Sequence, residues 1–379
     1  MRYRWLVMAL LTPLWVACSS WLESSPTVEP TPLKPFSSVQ PLKTLWSVSM
    51  GDDITEGFVP AYHRGSIVVA DRHGSIDVLD ALNGRRVSHF SLARELISGV
   101  AVVGGNALVG TRDGSLVAVQ LATGKIAWER SLTSVMLEAP AIGDTVAVVR
   151  TNDGRLTGFS VQDGTQLWSM GHLQPQLIVH NTGSMRAIGN DVVMVGMPAG
   201  KILVASQTSG NVLWEAVVAY PNGATELERM TDVVSAPVFD DKQVCAVAYQ
   251  GRVACFDAQW GSLQWAREVS SSRGLTLDNN NVYVTDEDGV VFAFSRADGR
   301  PVWKTEALKY RDVSGPVRLG HRILVVDGEG YAHVLSDENG KLLGRSHLGG
   351  KGTIGQPVSF GDSVLVQSRN GRLTLLSLG

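Results

Sequence analysis

An all-β propeller of eight four-stranded antiparallel blades is the architecture this chain predicts, and three observations lead to it. Glycines recur ten residues apart as Gly74/Gly84, Gly114/Gly124, Gly154/Gly164, Gly200/Gly210, Gly251/Gly261, Gly289/Gly299 and Gly330/Gly340. A tryptophan stands four residues after the second glycine in five of these seven units, at Trp128, Trp168, Trp214, Trp265 and Trp303. The first glycines follow one another at 40, 40, 46, 51, 38, 41 and 41 residues, up to an eighth at Gly371. That period accommodates four short strands per unit.

The segments between the glycines are strand-like. Thr145–Arg150 and Asn281–Thr285 are rich in β-branched residues, and Asp153-Gly154 and Asp288-Gly289 are hairpin signals, which disfavours a helical solenoid. A large ring at one fixed place on each last strand is suited to covering the interface with the next blade, where its burial is worth roughly 2–3 kcal/mol. Ser88 and Gly344 hold that place in the remaining two units.

The ring closes through the other end of the chain. After Gly371 only residues 372–379 remain, so the eighth unit lacks its tryptophan-bearing last strand. Lys43-Thr-Leu-Trp46-Ser-Val48 matches Lys125-Ile-Ala-Trp128-Glu-Arg130, and no complete repeat precedes it. Residues near 42–50 are therefore expected to form the outer strand of the last blade. The expected domain organisation is a leader at 1–17, a tether at 18–41 and the propeller at 42–379.

The leader begins Met1-Arg-Tyr-Arg4 and continues through an apolar stretch to Ala17, too short to span a bilayer and suited to secretion. It ends in Leu14-Trp-Val-Ala17-Cys18, which resembles a bacterial lipoprotein processing site, with Trp15 where that motif usually has leucine. Cys18 is the expected lipidation site, and more than one acyl chain is needed for stable anchoring. Ser19 after the cysteine resembles the lipoprotein signal for export to the outer membrane. Residues 19–41, rich in Ser, Thr and Pro, read as a tether.

Composition narrows the partners. The formal charge is −3 and charged residues make up 18% of the chain, so no basic field exists to attract nucleic acid. Cys245 and Cys255 flank the Gln250-Gly251 turn; they are either bonded across the hairpin or two buried thiols, depending on strand register.

The sequence assigns no catalytic residue, no metal ligand and no cofactor. Gly350-Lys-Gly-Thr-Ile-Gly355 satisfies a dinucleotide motif, but a strand pattern follows it where a helix is required. The histidines are scattered. Asp286-Glu-Asp288-Gly289 and Asp327-Gly-Glu329-Gly330 fall on the repeat's turn and lack the later carboxylate of a calcium loop.

The unequal spacing is the more informative signal. Two long connections, one holding His172–Gly183 and the other Tyr220–Val234, follow consecutive last strands and should emerge side by side on one rim. They bring Leu177, Ile178, Val179, Leu227 and Met230 beside Glu226, Glu228, Arg229 and Asp232, apolar anchors with a charged border that suit a protein interface. The alternative is that the apolar residues fold inward while Thr225 and Glu228 cap a helical turn.

The repeat of glycine, nine residues, glycine, three residues and tryptophan resembles that of quinoprotein propellers. The lipoprotein-like start, the eight units and Thr225-Glu-Leu-Glu-Arg-Met-Thr-Asp-Val-Val234 together resemble the BamB family, propeller lipoproteins of the outer-membrane β-barrel assembly machinery. The family pattern there is T-E-[IL]-[DE]-R-[LM]-x-D-V-D, from which Val234 departs. A second family loop reads L-x-L-R, with Leu177-Ile-Val-His180 as counterpart and His180 in place of arginine. The resemblance implies a non-catalytic scaffold that binds the POTRA domains of BamA through Leu177, Val179, His180, Thr225, Glu226, Leu227, Glu228, Arg229 and Asp232. It also implies blade edges that hold unfolded outer-membrane β-barrel proteins. Two rivals remain. A quinone-dependent dehydrogenase is disfavoured because the chain has no adjacent cysteine pair and no room for the usual insertions, and a ligand sensor using the central channel is the other.

Overall fold

The computed structural model describes residues 28–51, 57–172, 175, 177–179 and 184–379. Cys18, the leader, the first part of the expected tether and His180 lie outside the described residues.

The strands form eight four-stranded antiparallel sheets. Blades 1–7 comprise residues 61–91, 101–131, 141–171, 185–217, 238–268, 275–305 and 317–347, each sheet running in chain order from the inner to the outer strand. Blade 8 takes its three inner strands from 358–378 and its outer strand from Leu42–Ser49, paired antiparallel with Arg372–Leu378. The expected composite blade is thus formed.

Each sheet packs against a neighbour on both faces, so the second and third strands carry continuous apolar runs in place of alternation. The second strands of blades 1 and 2 illustrate this: Ile67, Val68, Val69 and Ala70 are all buried, as are Ala107, Leu108 and Val109. The outer strands alternate instead, with one side turned to solvent, as in Gln166–Gly171.

The recurring tryptophan locks one blade to the next. Trp128 Nε1 donates to the carbonyl of Val161 at 3.1 Å, and its ring lies over Gly164, where an added Cβ would come within 2.5 Å of the indole. The same pairing joins Trp46 to Ala81 and Gly84, Trp168 to Gln207 and Gly210, and Trp214 to Ala258 and Gly261. It recurs for Trp265 with Arg296 and Gly299, and for Trp303 with Asp337 and Gly340. In each case the acceptor carbonyl lies three residues before the glycine. These glycines also adopt φ of 66–72°, so the turn and the ring each require a residue without a side chain.

The register explains how the ring is aimed. In every blade the pairing of the outer strand slips by one residue just before the lock position, skipping Leu45, Val87, Ala127, Leu167, Leu213, Gln264, Val302 or Leu343. Such a bulge redirects the following side chain onto the neighbouring blade and leaves the skipped residue facing outward.

Three local expectations are settled by the strand order and register. Cys245 lies directly opposite Cys255 and the two are bonded in a disulfide. Gly350–Gly355 falls in the connection between blades 7 and 8, ahead of the strand Val358–Phe360. The acidic runs at Asp286 and Asp327 occupy hairpin turns.

Candidate functional site

Connections from one blade's outer strand to the next blade's inner strand all emerge on one rim. The long ones join blade 3 to blade 4 and blade 4 to blade 5. In the second, Gly223 has φ of 143°, and a side chain there would strike Glu228. That tight bend delivers Thr225–Glu228 into a reciprocal cap. The Glu228 amide donates to Thr225 Oγ1 at 3.2 Å, while Glu228 Oε2 accepts from the amides of Ala224 and Thr225 at 2.7 and 3.0 Å. Those backbone bonds, Thr225 first, hold the Glu228 carboxyl below the usual carboxylate range.

Both sequence readings of this loop are therefore realised in part. The cap forms, yet the apolar tip does not fold inward: Leu227 is 64% exposed, Tyr220 72% and Leu177 on the neighbouring loop 46%. Ile178, Val179 and Met230 are half-buried. Arg229 and Glu226 pair with each other across one helical turn, and both side chains are exposed. An exposed pair of this kind adds little stability and leaves both charges available to a partner.

Asp232 plays a different part from its neighbours. It is only 3% exposed, so it offers no surface. Its Oδ2 accepts from the Val179 amide at 2.6 Å and its Oδ1 from the Ala199 amide at 2.9 Å, tying the second loop to the first and both to blade 4. Burial pushes its carboxyl above the usual range, although the bonds from Val179 and Ala199 and the charge of Arg150 work against that shift. The backbone of the same stretch is sewn to both blades: Val233 N donates to Met197 O at 3.2 Å, and Tyr249 N donates to Asp232 O at 2.8 Å.

Beneath the loops lies a pair that sequence reasoning missed. Glu138, 2% exposed, accepts from the amides of Ser184 and Met185 at 2.7 and 3.2 Å, fixing the place where the first loop enters blade 4. Arg150 pairs with Glu138 at 2.7 Å and donates to the Gly196 carbonyl at 3.0 Å. A signal was present: Ser98, Ser235, Ser272 and Ser314 stand three residues before their inner strands, and at that place blade 3 alone has a carboxylate, Glu138. A cleft of about 240 Å³ opens beside the loops, lined by His172, Pro175, Met197, Pro198, Ala199, Lys201 and Glu215.

The arrangement suits binding. Exposed apolar side chains stand beside an exposed ion pair on a rim held from below by buried carboxylates. Among the described residues no group of three His, Cys, Asp or Glu side chains is placed to hold a metal ion.

Comparison with known proteins finds relatives over nearly the whole chain. A sequence-family profile described as "Outer membrane protein assembly factor BamB" matches residues 72–305. The protein of that name from Bordetella pertussis is 36% identical over 360 residues, covering 95% of this chain and 93% of the relative. Its counterpart from Taylorella asinigenitalis is 39% identical over 379 residues, covering 99% and 98%. The crystal structure of BamB from Moraxella catarrhalis superposes with a TM-score of 0.81 at 26% identity, covering 89% of this chain and 99% of that one. Quinohemoprotein alcohol dehydrogenase from Comamonas testosteroni, with a TM-score of 0.70 at 12% identity, covering 90% of this chain and 77% of that one, shares the fold alone.

Proposed function

This chain belongs to the family of the outer membrane protein assembly factor BamB, and we propose that it is a non-catalytic scaffold of outer-membrane protein assembly that binds the periplasmic POTRA domains of BamA. The observation that supports this most directly is the Asp232 carboxylate bonded to the Val179 amide. Through that tie Leu177, Leu227 and Arg229 are presented together on one rim, the first two as apolar anchors and the last as a charge at their edge. Loops held in place before contact lose less conformational entropy on binding.

The same reading makes Cys18 the lipid-bearing residue and the periplasmic face of the outer membrane the place of action. Unfolded β-barrel proteins would then meet the blade edges, where the skipped residues of the bulges turn outward.

Calorimetry with the periplasmic region of BamA from the same organism tests the interface. Saturable binding is expected, and Arg229→Glu should weaken it about 10-fold, a change of about 1.4 kcal/mol, with the melt unchanged. Absence of binding to a folded partner overturns the proposal. Mass spectrometry of the membrane-extracted protein tests the anchor, because the N-terminal peptide should begin at Cys18 and carry acyl mass.

A further inference from the structure

Blade 7 lacks its tryptophan and also carries an additional length of chain. At Gly344, the residue in the lock position, any side chain would collide with the carbonyl of Gln40. Residues 31–40 lie antiparallel to the outer strand Leu342–His347. The amides of Val39 and Gln40 both donate to the Leu343 carbonyl, at 2.9 and 3.0 Å, and Ser38 Oγ donates to it at 3.2 Å. Leu343 is the residue that the bulge leaves without a partner on the third strand.

Farther along, Arg345 Nη1 donates to the Lys34 carbonyl at 3.3 Å, and its guanidinium lies 5.0 Å from the centre of the Phe36 ring. At the rim Arg311 Nη1 donates to the Thr31 carbonyl at 3.1 Å, and the Thr31 amide donates to Lys309 O at 3.0 Å. Leu33 packs on the core between blades 6 and 7, as do Trp303 and Leu342.

The two arginines are positioned in advance. Arg311 Nε donates to Asp327 at 2.8 Å, and Arg345 Nε donates to His333 Nδ1 at 3.4 Å. His333 Nε2 in turn lies 3.0 Å from the same Asp327 oxygen, and both of these side chains are fully buried. One buried carboxylate therefore braces both guanidiniums that hold the segment.

We infer that residues 31–40 are a docked latch, with blade 7 built to receive it, and that the latch fixes where the N-terminal chain leaves the propeller. The exit lies beside Lys309–Arg311, in the connection from blade 6 to blade 7, on the same rim as the two long loops. A tether counted from Ser19 to the strand Leu42–Ser49 is thereby cut to residues 19–30, a reach of at most about 40 Å. The consequence for membrane distance rests on lipidation of Cys18; the latch itself does not.

Hydrogen exchange on the full chain tests the latch. The amides of Thr31, Val39 and Gln40 should exchange about 100-fold more slowly than in an unstructured peptide. Gly344→Trp, which restores the repeat's own ring, should return them to within about threefold of that peptide while the strand Arg322–Val326 stays protected. If that variant does not fold, Leu33→Ser with Phe36→Ala removes the latch contacts from the segment's own side. Unprotected amides in the wild type, or protection that survives these substitutions, overturns the latch. A photo-crosslinker at Glu29 should label residues 306–311; labelling of the opposite-rim turn at residues 337–341 overturns the exit point. Neither readout involves lipid or BamA, so failure here and failure of the scaffold reading are separable.

Discussion

Where blade 2 meets blade 3, the indole of Trp128 rests on Gly164 and donates to Val161, and the junction is complete within 37 residues of chain. Blade 7 has Gly344 at the equivalent place, and the space is taken by backbone from residues that precede it by about 300 positions. The two solutions fill the same slot with different physics. A ring attached to the blade itself loses only side-chain freedom on packing, whereas a chain terminus must also give up backbone freedom, at roughly 1–2 kcal/mol per residue. The latch should therefore open at lower cost than the lock. Between blades 1 and 2 a third arrangement occurs, with Ser88 in the lock position and the Phe90 ring against Gly124.

Deleting residues 42–50 is the harshest way to break the comparison, because it removes the outer strand of blade 8 and the Trp46 lock on Gly84 together. A fall of the melting temperature by more than about 10 °C, or loss of soluble protein, is expected. A cooperative melt at the wild-type temperature would mean that ring closure contributes nothing. Next in size is Trp128→Ala, which should cost about 3–5 kcal/mol in denaturant unfolding, as deletion of a buried aromatic generally does. Phe90→Ala, at the junction without tryptophan, should cost about half of that because the ring is only partly buried. Equal losses at the two sites would show that the lock is no stronger than its substitute.

The rim offers a milder contrast between a side chain proposed to touch the partner and one that holds the loops. Asp232→Ala leaves the amides of Val179 and Ala199 without their acceptor, at about 1–3 kcal/mol of stability. It should also weaken BamA binding about 10-fold, although Asp232 itself is buried. Faster exchange at the Val179 amide would mark the loosened loop, an effect that Arg229→Glu should not have. Unchanged exchange at Val179 would remove Asp232 from this role.

Much of the ring was legible because its grammar is local. The ten-residue glycine spacing, the tryptophan four residues later and the orphaned Lys43–Val48 match each follow from turns and strands that a short window contains. Unequal spacing likewise placed the two long loops side by side. What stayed hidden depends on register or on distant chain. The sequence leaves open whether Cys245 and Cys255 face each other, because a one-residue slip would separate them. Asp232 reads as one more charge in a polar loop, and only the fold turns it inward toward Val179. Gly344 was visible as a missing tryptophan, yet its replacement lay in a stretch whose Ser, Thr and Pro content reads as a tether. Thr31, Leu33, Phe36 and Gln40 are the half-buried positions there, too irregularly spaced to read as a strand.

The smallest effect concerns the charges beneath the latch. Burial holds the His333 imidazole below its ordinary range, only partly countered by its bond to Asp327, and Arg345 and Arg311 lower it further. In the folded protein it is the neutral ring, donating from Nε2 to Asp327 and accepting from Arg345 at Nδ1. The Tyr331 ring also stands close to it, with centroids 6.3 Å apart. The unfolded chain consequently takes up this proton first as the pH falls. The stabilisation is complete above about pH 6.5 and is lost as the pH drops from there toward the folded-state value. For Asp327, burial pushes upward but the bonds from His333, the Tyr331 amide and Arg311 prevail, so its carboxyl sits below the usual range. Its contribution persists above about pH 4 and is lost only on further acidification. A melt series from pH 7.5 to 5.5 stays above the Asp327 range, and comparison with His333→Gln separates His333 from the chain's other histidines. The wild type should lose stability more steeply than His333→Gln, whose amide can donate to Asp327 and accept from Arg345 without titrating. Exchange at Thr31 should quicken, in the wild type alone, only once the pH falls to the folded-state value, because a proton on Nδ1 then displaces the Arg345 donor that steadies Lys34 and Phe36. Parallel slopes in the two proteins would show that the buried histidine does not titrate beneath the latch.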